Sequence, residues 1–381
     1  MNPSAGRGMR VFLSTGEASG DMSAAALVEQ IRALEPAASF AGIGSERMRG
    51  AGVGIVAETR GWASMGPIEA LGKIPGLYAA MLHQAFALRA RPVDCIVLVD
   101  FGAFNLRLAK TLRRLRYANP IVYFFPPGAW LDNADQARAV AAATRPLTPF
   151  DHQREFYRSL GLETAYFGHP LVSLVQPREP RDRAPDDGGT VALLPGSRRG
   201  EIARHLPILF ATVGRLRELR PRLAAIAGAA DADAERRIAS AVAAAGIAGI
   251  EIVRGAREAF ERADVALVAS GTAVLEAALC EVPTVALYIV GKSQERIARR
   301  IYHRVFRRPF VTLPNIVLDR PAIPELLLDA ATPENLAGAA ESLLRDPGDQ
   351  LTALRELRER LGPPDALERC ARYVVEVAKT A

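Results

Sequence analysis

The sequence predicts an α/β protein of two Rossmann-like domains whose parallel sheets face a cleft. Three observations carry the prediction. Short β-rich runs alternate with helical stretches from end to end, the pattern of parallel sheets covered by helices on both faces. The alternation breaks once, at residues 176–189, where QPREPRDRAPDDGG is all turn formers and charges, and then restarts. The length of 381 residues exceeds what one core usually serves. The domains are expected at residues 1–175 and 190–363.

Taken in order, the first domain opens with a strand at 10–14, a helix at 21–34 and a strand at 39–41. A helix at 74–89 precedes a buried strand at 94–99, whose apolar run Cys95-Ile96-Val97-Leu98-Val99 suits the covered centre of a parallel sheet. Helix 104–117, strand 121–125 and helix 133–143 follow, then short strands at 146–148 and 164–166 around a helix at 152–160. In the second domain, strands at 191–194, 223–227, 250–253, 264–268 and 283–287 alternate with helices at 201–220, 232–245, 257–262, 272–280 and 293–306. Three helices, near 333–345, 350–361 and 366–379, end the chain.

Composition removes several function classes. With 49% hydrophobic and 24% charged residues the chain is globular, and its apolar runs are too short to span a bilayer. The first nine residues lack an apolar signal core, so no secretory signal is expected. Cys95, Cys280 and Cys370 are widely spaced and read as reduced core residues of a cytosolic protein. The five histidines form neither HxH nor HExxH, so no metal site is expected. The net charge of +6 suits nucleic acid, an anionic membrane face or anionic substrates. No nucleic-acid-reading motif accompanies it, which places nucleic acid last.

The richest segment is LLPGSRRGE, from Leu193 to Glu201, lying between an apolar run and an amphipathic stretch. Gly196 lets the backbone turn close to a ligand, the helix start leaves amide N–H groups free, and Arg198 adds a planar fork suited to phosphate. A second loop of the same design, Ser270-Gly271-Thr272, follows the apolar run 265–268. Glu276 lies one turn into the helix behind it, where a carboxylate can accept hydrogen bonds from both ribose hydroxyls. Either loop alone is an ordinary helix start; the pair points to a nucleotide diphosphate site, with Gly196, Ser197, Arg198, Glu201, Ser270, Gly271, Thr272 and Glu276 as its residues.

Four further constellations stay open between a structural and a functional reading. Gly16 to Asp21 (GEASGD) is either a helix start capped by Ser19 or Asp21, or a sugar-facing loop in which Glu17, Ser19 and Asp21 meet the acceptor. Asp100 ends the apolar strand and is either a cap for the next helix or a general base whose pKa burial raises. The segment from Trp62 to Met81 is either core or an exposed apolar lobe suited to lipid. Between 292 and 308, six arginines form a solvated face or an anion-binding patch.

Together, and in this order, the motifs resemble the lipid-A-disaccharide synthases, a family of inverting GT-B glycosyltransferases. The matching pieces are GEASGD; Met65-Gly66 with Glu69 and Leu71; Asp100 with Phe104-Asn105; Gly168-His169-Pro170-Leu171; LLPGSR with Glu201; ASGTA with Glu276; Leu313-Pro314-Asn315; and Pro324-Glu325-Leu326-Leu327. The resemblance spans roughly residues 9 to 375. It implies a GT-B-like fold and transfer of 2,3-diacylglucosamine from UDP to the 6-hydroxyl of 2,3-diacylglucosamine 1-phosphate. It implies no metal and no cofactor, a UDP-sugar donor, a lipid acceptor, and work at the cytoplasmic face of the inner membrane as a peripheral protein. Monomer and homodimer both stay open. The resemblance assigns Asp100 as base and Arg198 as the leaving-group stabiliser, and it puts UDP in the C-terminal domain. Glu17, Ser19, Asp21, Met65, Glu69, Asn105 and Asn315 become acceptor or sugar contacts, and the last helix, about 364–381, packs back on the N-terminal domain. The family pattern is not matched at Ala103, where its second carboxylate stands, or at Ala129, Leu131, Ser173 and Leu328. A transferase for another lipid-linked sugar, a UDP-sugar epimerase or hydrolase, and a non-catalytic nucleotide-binding paralogue are the alternatives.

Overall fold

The computed structural model describes residues 8–59, 62, 67–127, 133–179, 188–291 and 310–380. For residues 67–74 it describes the backbone course only. The expected helix at 293–306 and the arginines around it lie outside the described residues. The chain divides into two compact units, one of residues 1–174 with 361–381 and one of residues 175–360.

The first unit is built on seven parallel strands: β1 (Arg10–Ser14), β2 (Ser39–Gly44), β3 (Gly54–Glu58), β4 (Cys95–Val99), β5 (Ile121–Phe124), β6 (Arg145–Thr148) and β7 (Ala165–Tyr166). They lie in the order β3-β2-β1-β4-β5-β6-β7. Its helices are α1 (Ala18–Leu34), α2 (Glu46–Gly50), α3 (Pro67–Ala90), α4 (Gly102–Arg114), α5 (Ala134–Ala143), α6 (Asp151–Ser159) and the short α7 (Leu171–Leu174). Every residue of β4 is buried because helices cover both sheet faces, and one apolar cluster lies on each side. One cluster is completed from the far end of the chain, by Leu367, Cys370, Ala371, Val374 and Val375 of the terminal helix Ala366–Lys379.

The second unit carries six parallel strands: β8 (Thr190–Leu194), β9 (Ala224–Ala229), β10 (Ile250–Arg254), β11 (Val265–Ala269), β12 (Thr284–Tyr288) and β13 (Glu325–Leu327). Their order is β10-β9-β8-β11-β12-β13. Helices α8 (Arg199–Leu219), α9 (Ala232–Ala245), α10 (Ala256–Arg262), α11 (Thr272–Leu279), α12 (Leu313–Leu318), α13 (Pro333–Arg345) and α14 (Gly348–Leu361) cover it. The terminal helix Ala366–Lys379 is α15. Among the described residues no helix is long and apolar enough to cross a membrane.

Both sheets are doubly wound. In the first, strand order reverses between β1 and β4; in the second, between β8 and β11. At such a switch point the loops leaving the carboxyl ends of the two central strands diverge and leave room for a ligand. In the first unit these loops are 15–17 and 100–101, and in the second 195–198 and 270–271. The sequence motifs therefore fall at the two switch points.

Candidate functional site

In the second unit, β8 and β11 are hydrogen-bonded neighbours, so the PGSR and SGT loops stand side by side. Gly196 has φ +105, a backbone conformation glycine adopts without strain, and a Cβ there would lie 2.7 Å from Glu201 Oε2. Glu201 folds back over the loop, accepting from the Arg198 backbone N–H at 3.4 Å and from its guanidinium at 3.1 Å. The carboxylate thus closes the loop and steers a partly exposed Arg198. Among the described residues no side chain caps the Gly271 start of α11, and the Val274 N–H turns back to the Gly271 carbonyl at 3.2 Å. Ser270 is held by its N–H to the Leu287 carbonyl of β12 at 2.8 Å. Glu276 is half-buried, and its negative charge, second to burial, helps push the Cys280 thiol up to about 12.

One residue that sequence reasoning passed over organises this edge. His205, fully buried on α8, holds the Pro195 carbonyl at 2.8 Å through Nδ1 and accepts from the Ile289 N–H at 3.1 Å through Nε2. That pairing requires the neutral Nδ1–H tautomer. Burial holds its pKa below the usual range. The signal was a polar residue at helical spacing among inward-facing Ile202, Leu206 and Leu209.

In the first unit, the loops after β1 and β4 meet. Asp100 and Phe101 are consecutive residues at φ +48 and +50. Such non-glycine conformations persist only where the surroundings hold them, and they gather at functional sites. The Phe101 ring lies over the Gly16 backbone, where a Cβ would be 2.4 Å from the ring, so GEASGD needs glycine there. Phe101 also packs with Phe104 and Trp62, with ring centroids 5.3 Å and 6.0 Å away. The Trp62 ring packs against the core; Met65 lies outside the described residues, and so does the side chain of Glu69. Asp100 is half-buried with its pKa raised to about 6, first by desolvation and then by the Glu17 charge, against a hydrogen bond from the Phe101 N–H. Glu17 and Ser19 are half-exposed at the start of α1, and the Glu17 charge reaches Asp100. Ala103 is exposed in the first turn of α4.

Three expected acceptor contacts serve the scaffold instead. Asp21 is buried and accepts from Ser45 N–H, Ser45 Oγ and Arg47 N–H at 2.7–2.9 Å, which holds the start of α2. Neither it nor Ser19 caps α1, whose N-cap is Glu17. Asn105 is buried with its amide on the carbonyls of Ser14, Val99 and Asp100 and its Oδ1 accepting from Ser14 Oγ. Asn315 is buried between the Ile323 backbone and Glu325. Glu325 also gathers the N–H groups of Val311 and Thr312 and the Thr312 hydroxyl. In each case the side chain's capacity is spent inside the protein. His169 is likewise internal: it is buried, accepts from the Leu171 N–H at 3.2 Å, and burial lowers its pKa to about 3.

The family model and the curated relatives that match this chain agree on one family. The family model described as Lipid-A-disaccharide synthetase matches residues 11–361. The chain is 35% identical to a lipid-A-disaccharide synthase of Myxococcus xanthus over 379 residues, covering 97% of each chain. It is 33% identical to the enzyme of that name from Synechocystis, covering 97% of this chain and 98% of the other. Among solved structures, the UDP-GlcNAc 2-epimerase of Neisseria meningitidis bound to UDP-GlcNAc superposes with a TM-score of 0.66 at 10% identity, covering 97% of this chain and 100% of that one. The corresponding epimerase of Methanocaldococcus jannaschii gives 0.59 at 13% identity, covering 97% and 99%. At that identity the likeness is one of fold.

Proposed function

The chain belongs to the lipid-A-disaccharide synthase family of UDP-sugar glycosyltransferases, and on that premise we propose the division of labour between its two sheets. The reaction moves 2,3-diacylglucosamine from UDP to the 6-hydroxyl of 2,3-diacylglucosamine 1-phosphate. The products are the disaccharide 1-phosphate and UDP. In a single inverting displacement the hydroxyl oxygen bonds to C1 of the donor as the C1–diphosphate oxygen bond breaks. The hydroxyl proton must leave, and the β-phosphate must accept a second negative charge.

The observation that carries the proposal is the pair of helix starts beside Arg198 at the second switch point. Aligned amides and a guanidinium favour the diphosphate more as charge builds on it, which is how binding becomes rate. Glu276 takes the ribose. In the first unit, Asp100 removes the proton, because a carboxyl raised to about 6 is ionised at neutral pH yet basic enough to be a useful acceptor. Glu17 and Ser19 contact the acceptor sugar, and Phe101 and Trp62 present an apolar wall to it. The protein works on lipid at the cytoplasmic face of the inner membrane; the exposed Tyr78 and Phe86 of α3 and the net charge of +6 support a peripheral position.

The test is UDP release from UDP-2,3-diacylglucosamine with and without 2,3-diacylglucosamine 1-phosphate. Acceptor-dependent release with a disaccharide product is expected. Arg198→Ala should cost at least ~10²-fold in kcat, the scale for removing a charge-stabilising donor. Release that ignores the acceptor would refute transfer.

A further inference from the structure

Asp100 holds its left-handed backbone because its peptide groups are pinned on both sides. Its N–H donates to the Phe124 carbonyl at 3.0 Å. Its own carbonyl accepts from Asn105 Nδ2 at 2.9 Å and from the Tyr123 hydroxyl at 3.0 Å, which uses both lone pairs. Asn105 braces the ends of β1 and β4 as well, through Ser14 and Val99. Tyr123 has a narrower task. It is fully buried on β5, and its hydroxyl reaches the one carbonyl of Asp100. Burial, and next the Asp100 charge, hold the phenol well above its usual range, so it remains a donor throughout neutral pH.

We propose that Tyr123 is a positioning residue for transfer: its hydroxyl, with the Asn105 amide, locks the Asp100 carbonyl and thereby aims the Asp100 carboxylate at the reacting hydroxyl of the acceptor. The inference rests on the reading of Asp100 as the base. A strained backbone that loses one of its restraints relaxes toward ordinary φ values. The side chain turns with it, and a misplaced base is costly even over small distances.

Tyr123→Phe tests this, since it deletes one oxygen and keeps the ring in the core. A fall in kcat of about tenfold, the worth of one hydrogen bond, is expected, with KM for the UDP-sugar unchanged. The acid limb of the kcat/KM profile should move to lower pH, because a released carboxylate is better hydrated; the titratable groups acting on it among the described residues are Glu17 from the start of α1 and Tyr123 itself. In an Asp100→Asn background, Tyr123→Phe should cost nothing further. A wild-type kcat and acid limb in Tyr123→Phe would overturn the proposal. So would a lowered melting temperature with an unmoved acid limb, or an equal loss in both backgrounds. Full turnover by Asp100→Asn would remove the base and this inference together. An inert Asp100→Asn with an unaffected Tyr123→Phe would remove the inference alone.

Discussion

At the scale of single residues, the proposal that Asp100 is the base turns on how its carboxyl is raised to about 6. A general base must be deprotonated to act, so kcat/KM should climb as pH rises through about 6 and level off above it. Burial is the larger cause of the raised value and the Glu17 charge the next. Glu17→Gln removes the charge and leaves the burial. Its acid limb should therefore move to lower pH while staying above that of an ordinary aspartate, measured as kcat/KM over about pH 4.5 to 8. An unmoved limb would detach Glu17 from Asp100. Asp100 and Gly196 stand out in the sequence because residue type and place after an apolar run mark them as candidates. It did not do so for Asp21, Asn105 and Asn315. Their partners are backbone groups 24, 91 and 8 positions away, and only the folded chain brings these together. Tyr123 was hidden for the same reason: in sequence it is one more β-forming aromatic in a buried run.

At the scale of elements, strongly periodic segments were legible and short edge pieces were not. The terminal helix α15 buries Leu367, Cys370, Ala371, Val374 and Ala378 at helical spacing, and that stripe was visible as pattern. Strands β3 and β13 were missed. β3 has five residues of alternating partial exposure beginning with a glycine, and β13 has three; pairing with β2 and β12 makes them strands, not their own composition. Helix α3 begins at Pro67, earlier than the expected residue 74, because proline suits a first helical turn and the internal Pro75 is tolerated. The stripe on α15 gives a stability prediction. Leu367 is 2% exposed within the first unit's core, so Leu367→Ala should destabilise by about 2–5 kcal/mol in urea unfolding. Lys379 on the same helix makes an exposed ion pair with Glu35, and Lys379→Ala should change stability by less than ~1 kcal/mol. The reverse order would mean that α15 is held by charge and not by its apolar face.

At the scale of the whole chain, the same winding rule appears twice. In each unit the switch point gathers two loops, yet the loops carry opposite chemistry. The second unit offers amide dipoles and Arg198; the first offers Asp100 and Glu17, which repel a diphosphate. The nucleotide should thus choose one unit before any acceptor is present. Hydrogen exchange with and without UDP tests this directly, because a ligand that binds the native state protects the amides it orders. Residues 195–201 and 270–276 should slow on adding UDP, while 14–19 and 99–105 stay at their free rates. Adding the acceptor alone should reverse the pattern. Protection by UDP around Asp100, with none around Arg198, would exchange the roles of the two sheets. Arg198→Ala should then weaken the UDP-dependent protection in the second unit and leave the acceptor-dependent protection in the first intact. That result would show that the charge pattern at each switch point, and not the winding the two sheets share, decides which substrate each one holds.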